Sequence, residues 1–128
     1  MVNGYSEGWL DKGFPWVYGD EVIARTREFE PGQFVRIVSR DGRCLGTGFW
    51  DEGRIAVRRF RVDDGPVDAD FIESRVATAR SRRRVGQDTT AWRWVHGEND
   101  DLPGIRVDVW SDVVTITLDS GSLEHLVA

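Results

Sequence analysis

Between Gln33 and Ser39 the chain alternates apolar and polar residues, so Val35 and Ile37 fall on one side of an extended segment. Asp41-Gly42 follows and predicts a tight hairpin, because that pair accepts the positive φ angles such turns need. The return strand runs from Arg43 to Trp50, with Gly46 and Gly48 permitting close backbone approach or a bend. After Asp51-Glu52-Gly53 the run Arg54 to Arg61, RIAVRRFR, alternates again. Upstream, Ser6 to Lys12 predicts a short helix that hides Trp9 and Leu10 and ends at Gly13 and Pro15, and Trp16 to Ala24 reads as a strand with a glycine interruption. Short strands at this spacing, separated by turn residues, predict a small barrel or sandwich.

The period then changes. Asp68 is placed as an N-cap, and Phe71, Ile72, Val76 and Ala79 recur at helical spacing. Asp70 and Glu73 lie early in this helix and Arg80, Arg82, Arg83 and Arg84 late, which complements the helix dipole, so part of the arginine cluster needs no ligand. Residues 86–90 read as a linker. Beyond it come a strand-like Ala91 to Val95, a polar knot from Gly97 to Asp101 in front of Leu102-Pro103-Gly104, and two further strands, Ile105 to Trp110 and Val113 to Leu118, joined at Ser111-Asp112. In that hairpin Val107 and Val109 oppose Val114 and Ile116. A hairpin alone is marginal in water, so this one needs the preceding barrel or something downstream to pack against. Leu123 to Val127 reads as a helix just beginning, and the expectation is a fragment. The fold class is therefore α+β, mainly β: a small barrel (1–66), a connecting helix and linker (67–90), and the start of a β-hairpin unit (91–128).

Composition and charge add to this picture. A chain of 128 residues with 40% hydrophobic residues can bury a core without disulfide staples. No apolar run reaches the ~18 residues of a membrane span, and the N-terminus lacks the basic and apolar segments of a signal peptide, so the expected location is the cytoplasm. The lone Cys44 fits a reducing compartment and reads as a small core residue rather than a nucleophile. The net charge is -5, yet 16 cations are arginine and only Lys12 is lysine. Forked guanidiniums suit phosphates and stack on bases, although codon usage in a GC-rich genome explains the bias as well. An acidic total leaves room for one local basic face.

The chain has no GxSxG, no CxxC, no zinc-ligand spacing, no phosphate loop and no dinucleotide fingerprint. Glu98, Asp100 and Asp101 are too few and too irregular for a calcium loop; a solvated, self-capping loop explains them, with Pro-Gly fixing the next turn. Six tryptophans belong mostly in the core, and exposed ones beside arginines would form a base-stacking surface. On the strand Arg54 to Arg61, Ile55 and Val57 take one side and Arg54, Ala56, Arg58 and Phe60 the other. Two guanidiniums and a ring on one strand face suit single-stranded or looped RNA, and a solvated sheet edge fits equally.

The order of these pieces resembles a known family. Phe14-Pro15-Trp16-Val17-Tyr18, Gly32-Gln33 opening a strand, Asp41-Gly42 with Gly46 and Gly48 before Phe49, and Ile55 to Arg58 resemble the N-terminal PUA domain of SAM-dependent large-subunit ribosomal-RNA cytosine-C5 methyltransferases. Gly97-Glu98-Asn99-Asp100-Asp101-Leu102-Pro103-Gly104-Ile105, followed by Val107-Asp108, is similar to the GExDGLPGL stretch that opens the family's β-hairpin linking domain. The departures are Phe14 in place of histidine, Asp101 in place of a glycine, and only four residues before Tyr5, which leaves little room for a first barrel strand. The resemblance implies RNA binding, with large-subunit rRNA as partner and Arg36, Arg40, Arg54 and Arg58 as contact candidates. It makes Glu98, Asp100, Pro103 and Gly104 the linking loop that sets geometry between modules. It also places SAM and catalysis in the parent protein, after residue 128, and gives Cys44 no catalytic role. The rival expectation is a stand-alone PUA-like module whose tryptophans meet a protein or carbohydrate partner.

Overall fold

The computed structural model describes residues 1–128. Helix α1 (Gly4–Asp11) starts where the Asn3 side chain accepts the Ser6 N–H at 2.9 Å. Strand β1 (Trp16–Tyr18) is only three residues long, against the expectation of a strand to Ala24. It ends because the Glu21 carboxylate accepts the Tyr18 N–H at 2.9 Å and turns Gly19–Glu21 into a 3-10 helix. Strands β2 (Phe34–Val38), β3 (Cys44–Trp50) and β4 (Ile55–Arg61) follow, then α2 (Ala69–Ser81) with Asp68 as its N-cap. Strands β5 (Ala91–His96), β6 (Ile105–Trp110) and β7 (Val113–Leu118) complete the sheets. The last segment is a 3-10 helix, Gly121–Leu126, not the start of an α-helix; its Leu123 is fully buried.

The first sheet is antiparallel in the order β1-β4-β3-β2. Its outer edges are joined by one residue instead of a first strand: Val2 bridges to Val22, and its N–H donates to the Val38 carbonyl at 3.0 Å. A Cβ on Gly48 would overlap the Arg58 carbonyl, and one on Gly46 the Arg61 carbonyl, so β3 and β4 approach as closely as they do only because both positions are glycine. The second sheet, β5-β6-β7, pairs Val107 with Ile116 and Val109 with Val114, the register its pattern predicts.

Two cores flank β4. On one side Val57 joins Val2, Leu10, Val17, Val35, Ile37 and Leu45. On the other, Phe60 and Phe49 meet Ala79 of α2 and Val95, Leu102, Ile105, Val107 and Leu123 of the second sheet and its loops. Burying each such Leu, Val or Phe contributes about 1.5–3 kcal/mol, so the second cluster welds the hairpin unit onto the first sheet. The hairpin thus packs against the preceding sheet. Covered on both sides, β4 keeps Ala56, Val57, Arg58, Arg59 and Phe60 all buried.

Candidate nucleic-acid interface

That double cover corrects the outward face expected of β4. Phe60 is a core residue, and Arg58 is 7% exposed, with Nη1 donating to Asp51 Oδ2 at 2.6 Å. Asp51 also accepts the Ser122 hydroxyl at 3.1 Å. Burial by itself would raise the Asp51 carboxyl, but its bonds from Ser120, Arg58 and Ser122 hold it below the usual carboxylate value. Arg58 therefore ties β4 to the chain's last turn and offers no fork to a phosphate. Its neighbour Arg59 is 6% exposed and donates to the carbonyls of Leu45 and Leu10 at 2.9 Å and of Phe14 at 3.4 Å. Desolvation lowers its pKa, and the charge of Asp11 partly opposes that. The guanidinium thereby crosslinks the end of α1, where the Leu10 carbonyl also accepts the Gly13 N–H, to β3 and to the run that leads into β1.

The other three candidate arginines are at the surface. Arg36, on β2, pairs with Asp64 at 2.9 Å. Arg40 lies within the β2–β3 turn, and Arg54 directly before β4, where its guanidinium carbon sits 5.8 Å from the Tyr18 ring centre. Arg40 and Arg54 lie at opposite ends of the seven-residue β3, roughly 23 Å apart along a strand at 3.3 Å per residue. The structure does not gather Arg36, Arg40 and Arg54 into one patch.

What it does gather is aromatic. Tyr5, Trp9, Phe14, Trp16 and Tyr18 form a continuous ladder, with successive ring centres 6.3, 5.9, 5.4 and 6.4 Å apart. Tyr5 and Trp9 stand one turn apart on α1, and Phe14, Trp16 and Tyr18 alternate on one face of the following extended run. Both spacings are readable in the sequence, but Trp9, expected inside, is 43% exposed. None of the six tryptophans is fully buried, because the small sheets leave each indole an open edge. Cations flank the ladder: the Lys12 ammonium lies 4.9 Å from the Trp9 ring centre, and Arg54 caps Tyr18 at the far end. The rings and Glu21 line a recess of about 210 Å³, and a second hollow of about 380 Å³ shares the walls Trp9 and Phe14 and adds Lys12, Arg59 and Arg61.

The polar knot fastens this face to the second sheet. Glu98 accepts the Trp16 indole N–H at 2.9 Å, which fixes the orientation of the ring in the middle of the ladder. Asp100 is buried; it accepts from Arg83 Nη1 at 2.8 Å, from Arg83 Nη2, and from the His96 N–H at 2.7 Å. Burial works to raise its carboxyl, and these donors, with the charges of Arg83 and Arg82, bring it below the usual value. Pro103 is fully buried, and Gly104, at φ 78°, lies against Leu123 and the Arg58 guanidinium. The expected solvated loop is instead a bonded joint: Glu98 and Asp100 are spent on partners, and Asp101 stays exposed.

Residues 2–61 match the family model described as a PUA-like domain. The chain is 34% identical over 121 residues to ribosomal RNA large subunit methyltransferase I of Shewanella amazonensis, covering 91% of this chain and 31% of that protein. With the Shewanella denitrificans protein of the same name it shares 34% over 115 residues, or 85% and 29%. The chain spans about a third of the length of the curated relatives it matches. Among solved structures, a Streptococcus mutans chain assigned as a SAM-dependent methyltransferase superposes with a TM-score of 0.83 at 15% identity, over 98% of this chain and 35% of that one. A methyltransferase-assigned chain crystallised with SAH gives 0.85 at 16%, over 98% and 33%. These last two likenesses show a shared fold.

Proposed function

From the premise that the front of this chain is a PUA-like domain, we propose that it is the RNA-engaging part of a large-subunit rRNA methyltransferase and holds rRNA for catalysis elsewhere in the parent protein. The carrying observation is the aromatic ladder with Lys12 and Arg54 on its rim, a combination that stacks bases and attracts phosphates. Arg36 and Arg40 serve as peripheral phosphate contacts. The reading divides the chain into a PUA-like unit (1–66), a connecting helix and linker (67–90) and the opening of the linking domain (91–128), with the Glu98–Gly104 joint holding the two ends in register. Cytosine C5 as the methylated position rests on the likeness of Gly97 to Ile105 to the family's linking-domain stretch.

S-adenosylmethionine, the methyl donor in this reading, does not fit the residues present. Both α-helix starts are already capped by their own side chains, Asn3 and Asp68, and the positive-φ glycines sit in turns, a strand bulge and the joint, not in a loop feeding a helix. The donor belongs to the parent protein, and no step of transfer is assigned to these residues. No helix is long and apolar enough to cross a membrane, and the reading places the protein in the cytoplasm with the ribosome.

The test is fluorescence anisotropy of the purified chain with a structured large-subunit rRNA fragment across a salt series. Affinity should fall steeply with salt, and Arg54→Glu should weaken binding and flatten the slope. Absence of binding at low salt would remove the RNA-engaging role from this part of the protein.

A further inference from the structure

We propose that the recess between Tyr5, Trp9, Phe14, Trp16 and Tyr18 captures one unpaired RNA base and selects, through Glu21, a base that presents N–H donors, guanine foremost. The inference rests on the RNA-engaging reading above and adds the identity of what is read.

Size comes first. At about 210 Å³ the recess is below the ~300–1,000 Å³ of pockets that enclose whole small-molecule ligands, and it suits a single flat ring system. Its walls are aromatic on nearly every side, and every base carries a π-face that stacks on such rings. Stacking alone does not choose among bases. Glu21 supplies the choice: it is 7% exposed, one carboxylate oxygen accepts the Tyr18 N–H, and the other meets no donor of the protein while the residue lines the recess. A carboxylate only accepts hydrogen bonds. Guanine offers N1–H and the N2 amino group side by side. Cytosine and adenine offer one amino group each. Uracil offers a single N3–H between two carbonyl oxygens that the carboxylate repels.

Aromatic walls with a carboxylate also suit a methylated ammonium group. The rim decides against it. Lys12 over Trp9, the second ring, and Arg54 over Tyr18, the last, already place positive charge along the ladder, which repels a cationic ligand and draws in the phosphates on either side of a bound base. In the neighbouring hollow, entered past Trp9 and Phe14, Arg61 is held by Asp63, and Glu98 and Asp101 add carboxylates to the lining, so the adjoining phosphate is drawn to Lys12 at the rim.

The test uses the ¹⁵N-labelled chain and its six tryptophan indole N–H signals, assigned with single Trp→Phe variants. It is titrated with the five-nucleotide single strands UUGUU and UUUUU and, separately, with tetramethylammonium. The expected result is movement of the Trp9 and Trp16 signals with UUGUU, at least fivefold weaker binding of UUUUU, and loss of that preference in Glu21→Gln with the remaining indole signals in place. Trp9→Ala should abolish binding of both strands. Equal binding of the two strands, movement confined to Trp92 or Trp110, or a response to tetramethylammonium instead would overturn the base-capture inference. If structured rRNA still binds in that case, the RNA-engaging reading survives and only the recess assignment falls; if structured rRNA fails as well, both fall.

Discussion

Both guanidinium arms of Arg83, one residue past the α2 C-cap, end on the carboxylate of Asp100 in the loop between β5 and β6. The same Arg83 donates to the Ala79 carbonyl in the last turn of α2 and to the Arg93 carbonyl of β5. One side chain thus joins a helix end, a strand and a loop. The basic end of α2, which a dipole argument alone accounts for, is here also the anchor of the joint.

Removing the carboxylate leaves Arg83 facing a partly buried site without its counter-charge. Asp100→Ala should therefore cost about 2–4 kcal/mol, read from the shift of a urea unfolding midpoint, and Asp100→Asn somewhat less because it keeps an acceptor for the His96 N–H. The pH dependence has a fixed sign. The folded-state carboxyl lies below its usual 3.8, so the stabilisation is fully present above that value and is lost as pH falls through the folded value. Acid unfolding of Asp100→Asn should be shallower than that of the wild type. An unchanged acid profile would remove Asp100 from the joint.

Arg58 and Arg54 should separate by assay, although a strand-face reading pairs them. Arg58→Ala orphans a carboxylate, Asp51, whose side chain is itself largely buried, and should destabilise by about 2–4 kcal/mol in thermal or urea unfolding. Arg54→Ala should leave the unfolding midpoint within about 0.5 kcal/mol and lower RNA affinity, with a salt slope reduced by about one. Loss of RNA binding in a fully folded Arg58→Ala protein would contradict this division.

The α+β outline was legible because its signals are local: the Asp68 cap, the alternation in Gln33–Ser39, the Asp41-Gly42 turn and the opposed valines of β6 and β7. What escaped was set by tertiary cover. Alternation assigns one face of β4 to solvent, but the second sheet lies across that face, so Phe60 enters a core and Arg58 an ion pair. The joint stands out in the sequence as a block, but its local residues suggest a solvated loop, since nothing within Gly97–Gly104 reveals that Arg83 and Trp16 come to meet it. The ladder has a sequence signature, Tyr5 and Trp9 four apart and then three aromatics at period two, but a tryptophan on a short helix reads as core, which hides it.

Gly48 should tolerate no side chain. Its Cβ would occupy the space of the Arg58 backbone, which cannot move without opening the ladder between β3 and β4 at a point where the register already shifts. Gly48→Ala should cost more than about 3 kcal/mol and leave little folded protein by near-ultraviolet circular dichroism. Gly53→Ala, in the exposed turn between the same strands with no backbone in reach, should be close to neutral in the same measurement. Equal tolerance at both positions would show that β3 and β4 can separate.

Asp101 carries the opposite expectation. It stands where the resembling stretch has a glycine, and it adopts φ 56°, ψ 33°, the left-handed region in which a Cβ is disfavoured and aspartate is among the better-tolerated residues. What it gains there is a 3.5 Å ion pair with Arg75, half-exposed on both sides and worth little in water. Asp101→Gly removes the steric cost, forfeits that pair and adds some chain entropy to the unfolded state. The first effect is the largest, so the substitution should raise stability by a few tenths to about 1 kcal/mol. Asp101→Ala keeps the Cβ in the disfavoured region and loses the ion pair, so it should lower stability slightly. Differential scanning calorimetry of the three proteins decides the matter. The order Gly above Asp above Ala in Tm identifies the backbone as the constraint, whereas Asp above both would mean that the Arg75 contact outweighs it and that the acid has become part of the joint in its own right.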